Sequence, residues 1–183
     1  DLHIWKSASK CHFVNCSHSL ISQVEKSRLG KIFTRKINLY KSFFSALRLH
    51  QWIKNILIFV PLAAAHKLFD MNLIMNGIIA FISFGMCASS VYLLNDLLDI
   101  EDDRNHEEKR MRQLAAGNLS IPLAIISIPM LISLSLLISY IFLPIGFILI
   151  LLIYILINLF YSIQLKKIVL IDLFLLAFLY TLR

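Results

Sequence analysis

Residues 92–110, YLLNDLLDIEDDRNHEEKR, hold seven of the chain's eleven acidic residues: Asp96, Asp99, Glu101, Asp102, Asp103, Glu107 and Glu108. On a helix turning about 100° per residue, with Asn95 at zero, Asp99 falls near 40°, Asp103 near 80° and Asp96 near 100°. Leu97, Leu98 and Ile100 point elsewhere, so four oxygen-bearing side chains share one face. Three carboxylates this close, at the edge of a low-dielectric layer, repel one another unless a cation sits among them. Mg²⁺ suits that task, because it takes one or two carboxylates and completes its shell with waters and substrate phosphates. The expected metal ligands are Asn95, Asp96, Asp99 and Asp103, and the expected partner is a substrate phosphate. Glu101, Glu107 and Glu108 read as a solvated helix end.

Basic residues stand close enough to complete such a site. Lys109, Arg110 and Arg112 follow within three turns, and Arg48, Lys54 and Asn55 lie toward the same side of the preceding apolar stretch. Their guanidinium, ammonium and amide groups can hold phosphate oxygens that the metal leaves free. Taken singly, each charged one is equally well read as an interfacial anchor whose stem lies along lipid. Asp172 lies within two turns of Lys166 inside a later apolar run, with Arg183 eleven residues on; charges within a membrane are costly and point to function. No Ser/His or Cys/His constellation stands out, in keeping with chemistry that needs no strongly basic nucleophile.

These side chains need a frame, and composition supplies it. The 183 residues are 58% hydrophobic and 16% charged, with net charge +7 and mean hydropathy +0.76, far from a soluble domain's balance. Met71–Asn95 is uncharged and long enough to span a bilayer, and Gln113–Leu165 is long enough to cross twice, with a turn at Pro144 and Gly146. A first span is expected over Phe43–His66, and another begins at Leu170. The expected fold is an all-α polytopic membrane helical bundle, with a short α/β remnant at its start. Neither end carries the signals of a natural terminus, so the chain is expected to be a fragment. Ten Lys and Arg against two acids fill residues 1–54, Lys67 alone marks the 66–71 connection, and Arg104, Lys109, Arg110 and Arg112 fall in the 99–119 connection. This alternation puts the acidic stretch on the cytoplasmic side, with membrane lipid rather than nucleic acid as the expected partner.

Cys11, Cys16 and Cys87 make no even framework, and on a cytoplasmic face they are expected to be reduced. CHFVNCSH, residues 11–18, matches no standard zinc spacing and reads as a short apolar strand followed by a helix from about Ser17. His50, His66 and His106 read as packing or surface residues.

Several of these stretches resemble a known family in order along the chain. NDLLDIEDD is similar to the first aspartate-rich motif, N-D-x-x-D-x-x-x-D, of the UbiA superfamily of intramembrane transferases, and KRMRQLAAG resembles the basic segment behind it. YSIQLKKIVLIDLFLL is similar to the second motif region, with Tyr161, Lys166 and Asp172 in matching places. LRLHQWIKNILIFVPL resembles the opening helix of the branch that includes decaprenyl-phosphate phosphoribosyltransferase. The resemblance covers residues 45–183 and implies that this chain holds the first five of about nine spanning helices. It further implies that Asn95, Asp96, Asp99 and Asp103 bind Mg²⁺ and a diphosphate, that Lys109, Arg110 and Arg112 contact phosphate, and that Asp172 acts from the opposite wall.

The chain departs from the family at Leu49, Glu107 and Gln113, where proline is common. A single aspartate, Asp172, in the second motif points to the phosphoribosyl branch. DLHIWKSASKCHFVNCS resembles the closing segment of a haloacid dehalogenase-like domain, giving expected domains of 1–34 and 35–183. The expected reaction is Mg²⁺-dependent transfer from phosphoribosyl pyrophosphate to a polyprenyl phosphate. The alternatives are an aromatic polyprenyltransferase of the 4-hydroxybenzoate type, and a non-catalytic cation-binding membrane protein or transporter. The piece alone is expected to be inactive.

Overall fold

The structure is a computed structural model that describes residues 7–14, 16, 18–24, 28–33, 37–163, 174, 177–179 and 181. It divides into two compact units, Asp1–Asn38 and Leu39–Arg183.

In the first unit, β1 (Cys11–Val14) and β2 (Leu29–Phe33) pair in parallel, with α1 (His18–Ile21) between them in sequence. Cys11 pairs with Leu29, Phe13 with Ile32 and Val14 with Phe33, with an irregularity between the first two pairs. The alternating burial of β1 puts Cys11 and Phe13 against Val24, while His12 faces out and its Nδ1 accepts the Lys31 backbone N–H at 3.0 Å. The second strand was not anticipated from sequence, because LGKIF is flanked by basic residues and is mostly exposed.

The second unit is helical. It opens with α2 (Leu39–Ala46), followed by a 3₁₀ segment over Leu49–Phe59 and the short α3 (Val60–Ala64). Then come α4 (Met71–Leu98), α5 (Ile100–Asn105), a 3₁₀ turn at Lys109–Met111, α6 (Ile121–Phe142) and α7 (Ile145–Ile163). Three of these, α4, α6 and α7, are long and apolar enough to cross a membrane. The expected first helix over Phe43–His66 is instead broken in two places. Arg48 adopts a left-handed backbone (φ 52°, ψ 47°) after α2, and the i→i+3 pattern holds for eleven residues, an unusually long run for this geometry. The turn expected at Pro144 is present, where Phe147 N donates to the Pro144 carbonyl at 2.9 Å. The expected span from Leu170 lies almost wholly outside the described residues.

α4 is the central helix. Its N-terminus is capped by the Asp70 carboxylate, which accepts from Asn72 N and Leu73 N, satisfying donors that lipid cannot. Its buried residues are mostly small: Gly77, Ala80, Ser83, Gly85, Cys87, Ala88, Ser89 and Ser90. Small side chains let neighbouring backbones approach, the usual basis of helix association in membranes. On one side Ser83 Oγ bonds the Ser135 carbonyl at 2.8 Å and the Ser139 hydroxyl at 2.6 Å, tying α4 to α6. On another, the rings of Trp52 and Phe59 from the 3₁₀ segment lie over Gly85 and Gly77, where an added Cβ would come within 2.5 and 2.7 Å of them. Trp52 Nε1 donates to Ser89 Oγ at 2.9 Å, and that hydroxyl donates on to the Leu47 carbonyl at 2.7 Å. This chain of bonds fixes the start of the 3₁₀ segment, and Arg48 with it, against the C-terminal half of α4.

Candidate functional site

The expected helix over the acidic stretch is interrupted at one residue. α4 ends at Leu98, Asp99 takes φ −99° and ψ 14°, and α5 begins at Ile100. The Asp103 N–H still reaches the Asp99 carbonyl at 2.8 Å, so the two helices run on almost as one. Asp96 and Asp103, seven residues apart, therefore keep the same face. They are 3% and 2% exposed, the most buried carboxylates among the described residues.

Two arginines from elsewhere meet this pair. Arg48 Nη2 donates to Asp96 Oδ1 at 2.5 Å, and its guanidinium carbon lies 5.2 Å from the centre of the Tyr92 ring. Arg112 Nη1 donates to both oxygens of Asp103, at 3.1 and 2.8 Å, and lies 3.3 Å from Asp96 Oδ1. One guanidinium nitrogen thus sits between the two buried carboxylates. Charge-assisted bonds of this kind offset much of the desolvation cost that either ion alone would carry. The left-handed backbone at Arg48 is uncommon for a residue with a Cβ and costs on the order of 1 kcal/mol or more; such strain concentrates at working sites. It is what brings the Arg48 side chain to Asp96 from the break between α2 and the 3₁₀ segment.

Beside the four charges opens a cavity of 320 Å³, lined by Ser45, Ala46, Arg48, His50, Gln51, Asp96, Glu108, Met111, Arg112 and Gln113. Ser45, His50, Gln51 and Gln113 were not picked out for this site by sequence reasoning. Polar residues at a membrane edge have no distinctive spacing, and Ser45 and His50 come to one cavity from either side of the break at Arg48. Gln113 Nε2 donates to Ser45 Oγ at 3.2 Å, closing the wall between the loop and α2.

Other expected site residues are placed differently. Asn95 turns toward α7, where its Oδ1 accepts from the Ser162 hydroxyl. No local spacing marks Ser162, 67 residues away, as its partner. Asp99 is half-buried at the junction of α4 and α5. Lys109 and Arg110 are exposed on the 3₁₀ turn, Lys54 is half-buried on the 3₁₀ segment, and Tyr161 is half-buried near the end of α7. Asn55 is 1% exposed, and neither its Oδ1 nor its Nδ2 has a hydrogen-bond partner among the described residues. Lys166 and Asp172 lie outside the described residues.

Among the described residues, no three Asp, Glu, His or Cys side chains come close enough to enclose an ion. Mg²⁺ does not need three, since one or two carboxylates and substrate phosphates suffice. Asp96 and Asp103 fit that requirement: both are hard oxygen donors, and a positive group already bridges them.

Comparison with known proteins places the sequence among relatives. The chain is 32% identical over 185 residues to protein y4nM of Sinorhizobium fredii, covering all of this chain and 36% of that one. It is 42% identical over 106 residues to decaprenyl-phosphate phosphoribosyltransferase of Corynebacterium glutamicum, covering 57% of this chain and 32% of that enzyme. Nodulation protein NoeC of Azorhizobium caulinodans is 40% identical over 81 residues, covering 44% of this chain and 26% of that protein. The chain thus spans about a third of the length of these curated relatives. The pattern of the UbiA prenyltransferase family matches residues 56–183, which include the aspartate pair, its bridging arginine and all three long apolar helices, and the chain belongs to that family.

Proposed function

We propose that this chain carries the donor-activating site of an Mg²⁺-dependent intramembrane transferase, which moves a phosphoribosyl group from phosphoribosyl pyrophosphate to a polyprenyl phosphate. The observation that carries the reading is the buried Asp96 and Asp103 pair, with two arginines beside a polar cavity. The likeness to decaprenyl-phosphate phosphoribosyltransferases over the same stretch favours the phosphoribosyl donor.

Asp96 and Asp103 would hold Mg²⁺, which when bound neutralises charge that builds on a departing diphosphate. Arg48 and Arg112, both on the cavity wall, donate to phosphate oxygens and orient the donor so that the bond to C1 of the ribose faces the acceptor. Positive groups already in place stabilise the leaving diphosphate without reorganising at the moment of bond breaking. Lys109 and Arg110, exposed on the adjoining turn, raise the local potential for an incoming anion. Asn95, held by Ser162, would fix the α4 end against α7, and Asn55 would offer its amide to the substrate. Asp99, Lys54, Tyr161, Lys166 and Asp172 are proposed to line the same site in the whole protein. The acidic loop faces the cytoplasm in this reading, and the lipid acceptor arrives from the membrane.

The test is a full-length preparation in lipid, offered labelled phosphoribosyl pyrophosphate with polyprenyl phosphate, or polyprenyl diphosphate with 4-hydroxybenzoate, each with and without Mg²⁺. Product from the first pair only, and only with Mg²⁺, is expected. Product from the second pair instead would make this an aromatic polyprenyltransferase. Product from neither, with cation binding retained, would leave a non-catalytic binding protein or transporter.

A further inference from the structure

Arg112 occupies an unusual position for a residue that is also meant to hold substrate. Its Nη1 reaches Asp103 Oδ2 at 2.8 Å and Asp96 Oδ1 at 3.3 Å, so a single cationic nitrogen bridges both buried carboxylates while Arg48 supplies the second positive charge at Asp96. A divalent cation shared by the same two groups would compete with Arg112 at Asp103, both of whose oxygens its Nη1 already engages. Two positive centres that close, in a setting this poorly hydrated, repel strongly. One must leave for the other to enter. Arg48 is the less able to move, because it stacks on Tyr92 and is held at a left-handed backbone position. Both side chains line the cavity and are similarly exposed, Arg48 at 25% and Arg112 at 29%, but Arg112 follows a short 3₁₀ turn and has no aromatic ring contact among the described residues, so a path away from the carboxylates is open to it.

We propose that Arg112 is a built-in counterion: it keeps the carboxylate pair closed to a bare divalent cation, and transfers to the diphosphate as that anion brings the cation in. Metal and diphosphate then bind cooperatively, each raising the affinity for the other by the same factor. The inference rests on the metal and phosphate reading of the site given above. In it Arg112 replaces one anionic partner with another, so its charge is never left unpaired.

The experiment is Mn²⁺ binding, followed by paramagnetic resonance and calorimetry, on the full-length protein in lipid nanodiscs, with Mn²⁺ alone and with its preformed inorganic pyrophosphate complex. In the unmodified protein the pyrophosphate complex is expected to bind about tenfold or more tighter than Mn²⁺ alone. Arg112→Gln removes the counterion, so Mn²⁺ alone is expected to bind about tenfold tighter than before, and the advantage of the pyrophosphate complex to shrink to a few-fold. Arg112→Lys, which keeps a charge but carries it as a strongly hydrated ammonium on a shorter stem, is expected to move both quantities the same way by less, and serves if the glutamine variant fails to fold. No tightening of Mn²⁺ binding in either variant overturns the proposal. Asp96→Asn separates this from failure of the underlying reading. If that variant abolishes Mn²⁺ binding while the Arg112 variants tighten nothing, only the counterion role falls; if it leaves Mn²⁺ binding unchanged, the metal site falls with it.

Discussion

Asp96 has contacts to two arginines and almost no exposure, so its charge matters more than its shape. Asp96→Asn keeps the volume and removes the charge, leaving Arg48 and Arg112 close together without their shared anion. Transfer activity of the full-length protein is expected to fall by about 100-fold or more, with membrane insertion unaffected, as judged by product formation and by yield in the membrane fraction. Glu107→Gln, at an exposed position, is expected to leave both unchanged. Asn55 makes the opposite case. A buried amide without partners costs about 1–3 kcal/mol, so Asn55→Leu is expected to raise thermal stability in detergent while lowering turnover, and a variant that loses stability would show that the amide is satisfied in the whole protein. At this scale the sequence was informative where local geometry decides the outcome. The seven-residue spacing of Asp96 and Asp103 puts them on one face whatever surrounds them. It misled for Asn95, whose helical angle also fits the cluster, because the Ser162 hydroxyl is 67 residues away in sequence and no local period reveals it. Arg112 was picked out from its charge as an expected phosphate contact, yet its place between two carboxylates depends on how the loop folds back.

The 3₁₀ segment is held by its fit to α4 rather than by its own preferences. Its residues at i, i+3 and i+6, Trp52, Asn55 and Ile58, line up because three residues complete a turn. Trp52 then lies over Gly85, bonded through Ser89 to the Leu47 carbonyl. Gly85→Ala would place a Cβ 2.5 Å from the indole ring, and a flat ring held by a hydrogen bond has little room to give. The variant is expected to lose about 1–3 kcal/mol in reversible unfolding in detergent and to weaken the site, since Arg48 directly follows Leu47. Ser83→Ala, by comparison, removes hydroxyl bonds to α6 of a kind worth about 0.6 kcal/mol each in membrane helices, and a loss near 1 kcal/mol or less is expected. Helix existence was readable from uncharged length, and the Pro144 turn from its chemistry. The 3₁₀ geometry was not, because the same apolar residues serve an α-helix equally well, and the segment's contacts are with glycines 18 and 33 residues away, Gly77 against Phe59 and Gly85 against Trp52.

The three long helices differ in reach, and that difference places the site. At 1.5 Å per residue, α4 with 28 residues is roughly 42 Å long, while α6 with 22 and α7 with 19 are roughly 33 and 28 Å. A hydrocarbon layer of about 30 Å accommodates α6 and α7 but leaves a few turns of α4 beyond it. The overhang belongs at the Asp96 end, since from Met71 to Leu94 α4 carries no charge. The carboxylate pair would then lie at the boundary itself, where a water-soluble diphosphate and a lipid phosphate can both arrive. By the positive-inside rule the basic residues around the 99–119 connection are expected to put that boundary on the cytoplasmic side, and the connection at His66–Asp70, with Lys67 as its one basic residue, on the other. Cysteine labelling of the full-length protein checks this, with Cys11, Cys16 and Cys87 replaced by alanine. Lys67→Cys is expected to react with an impermeant maleimide in intact cells, and Glu107→Cys only after the inner face is opened. Reaction of both from one side would invert or collapse the arrangement, and would take the site away from the compartment in which phosphoribosyl pyrophosphate is proposed to be met.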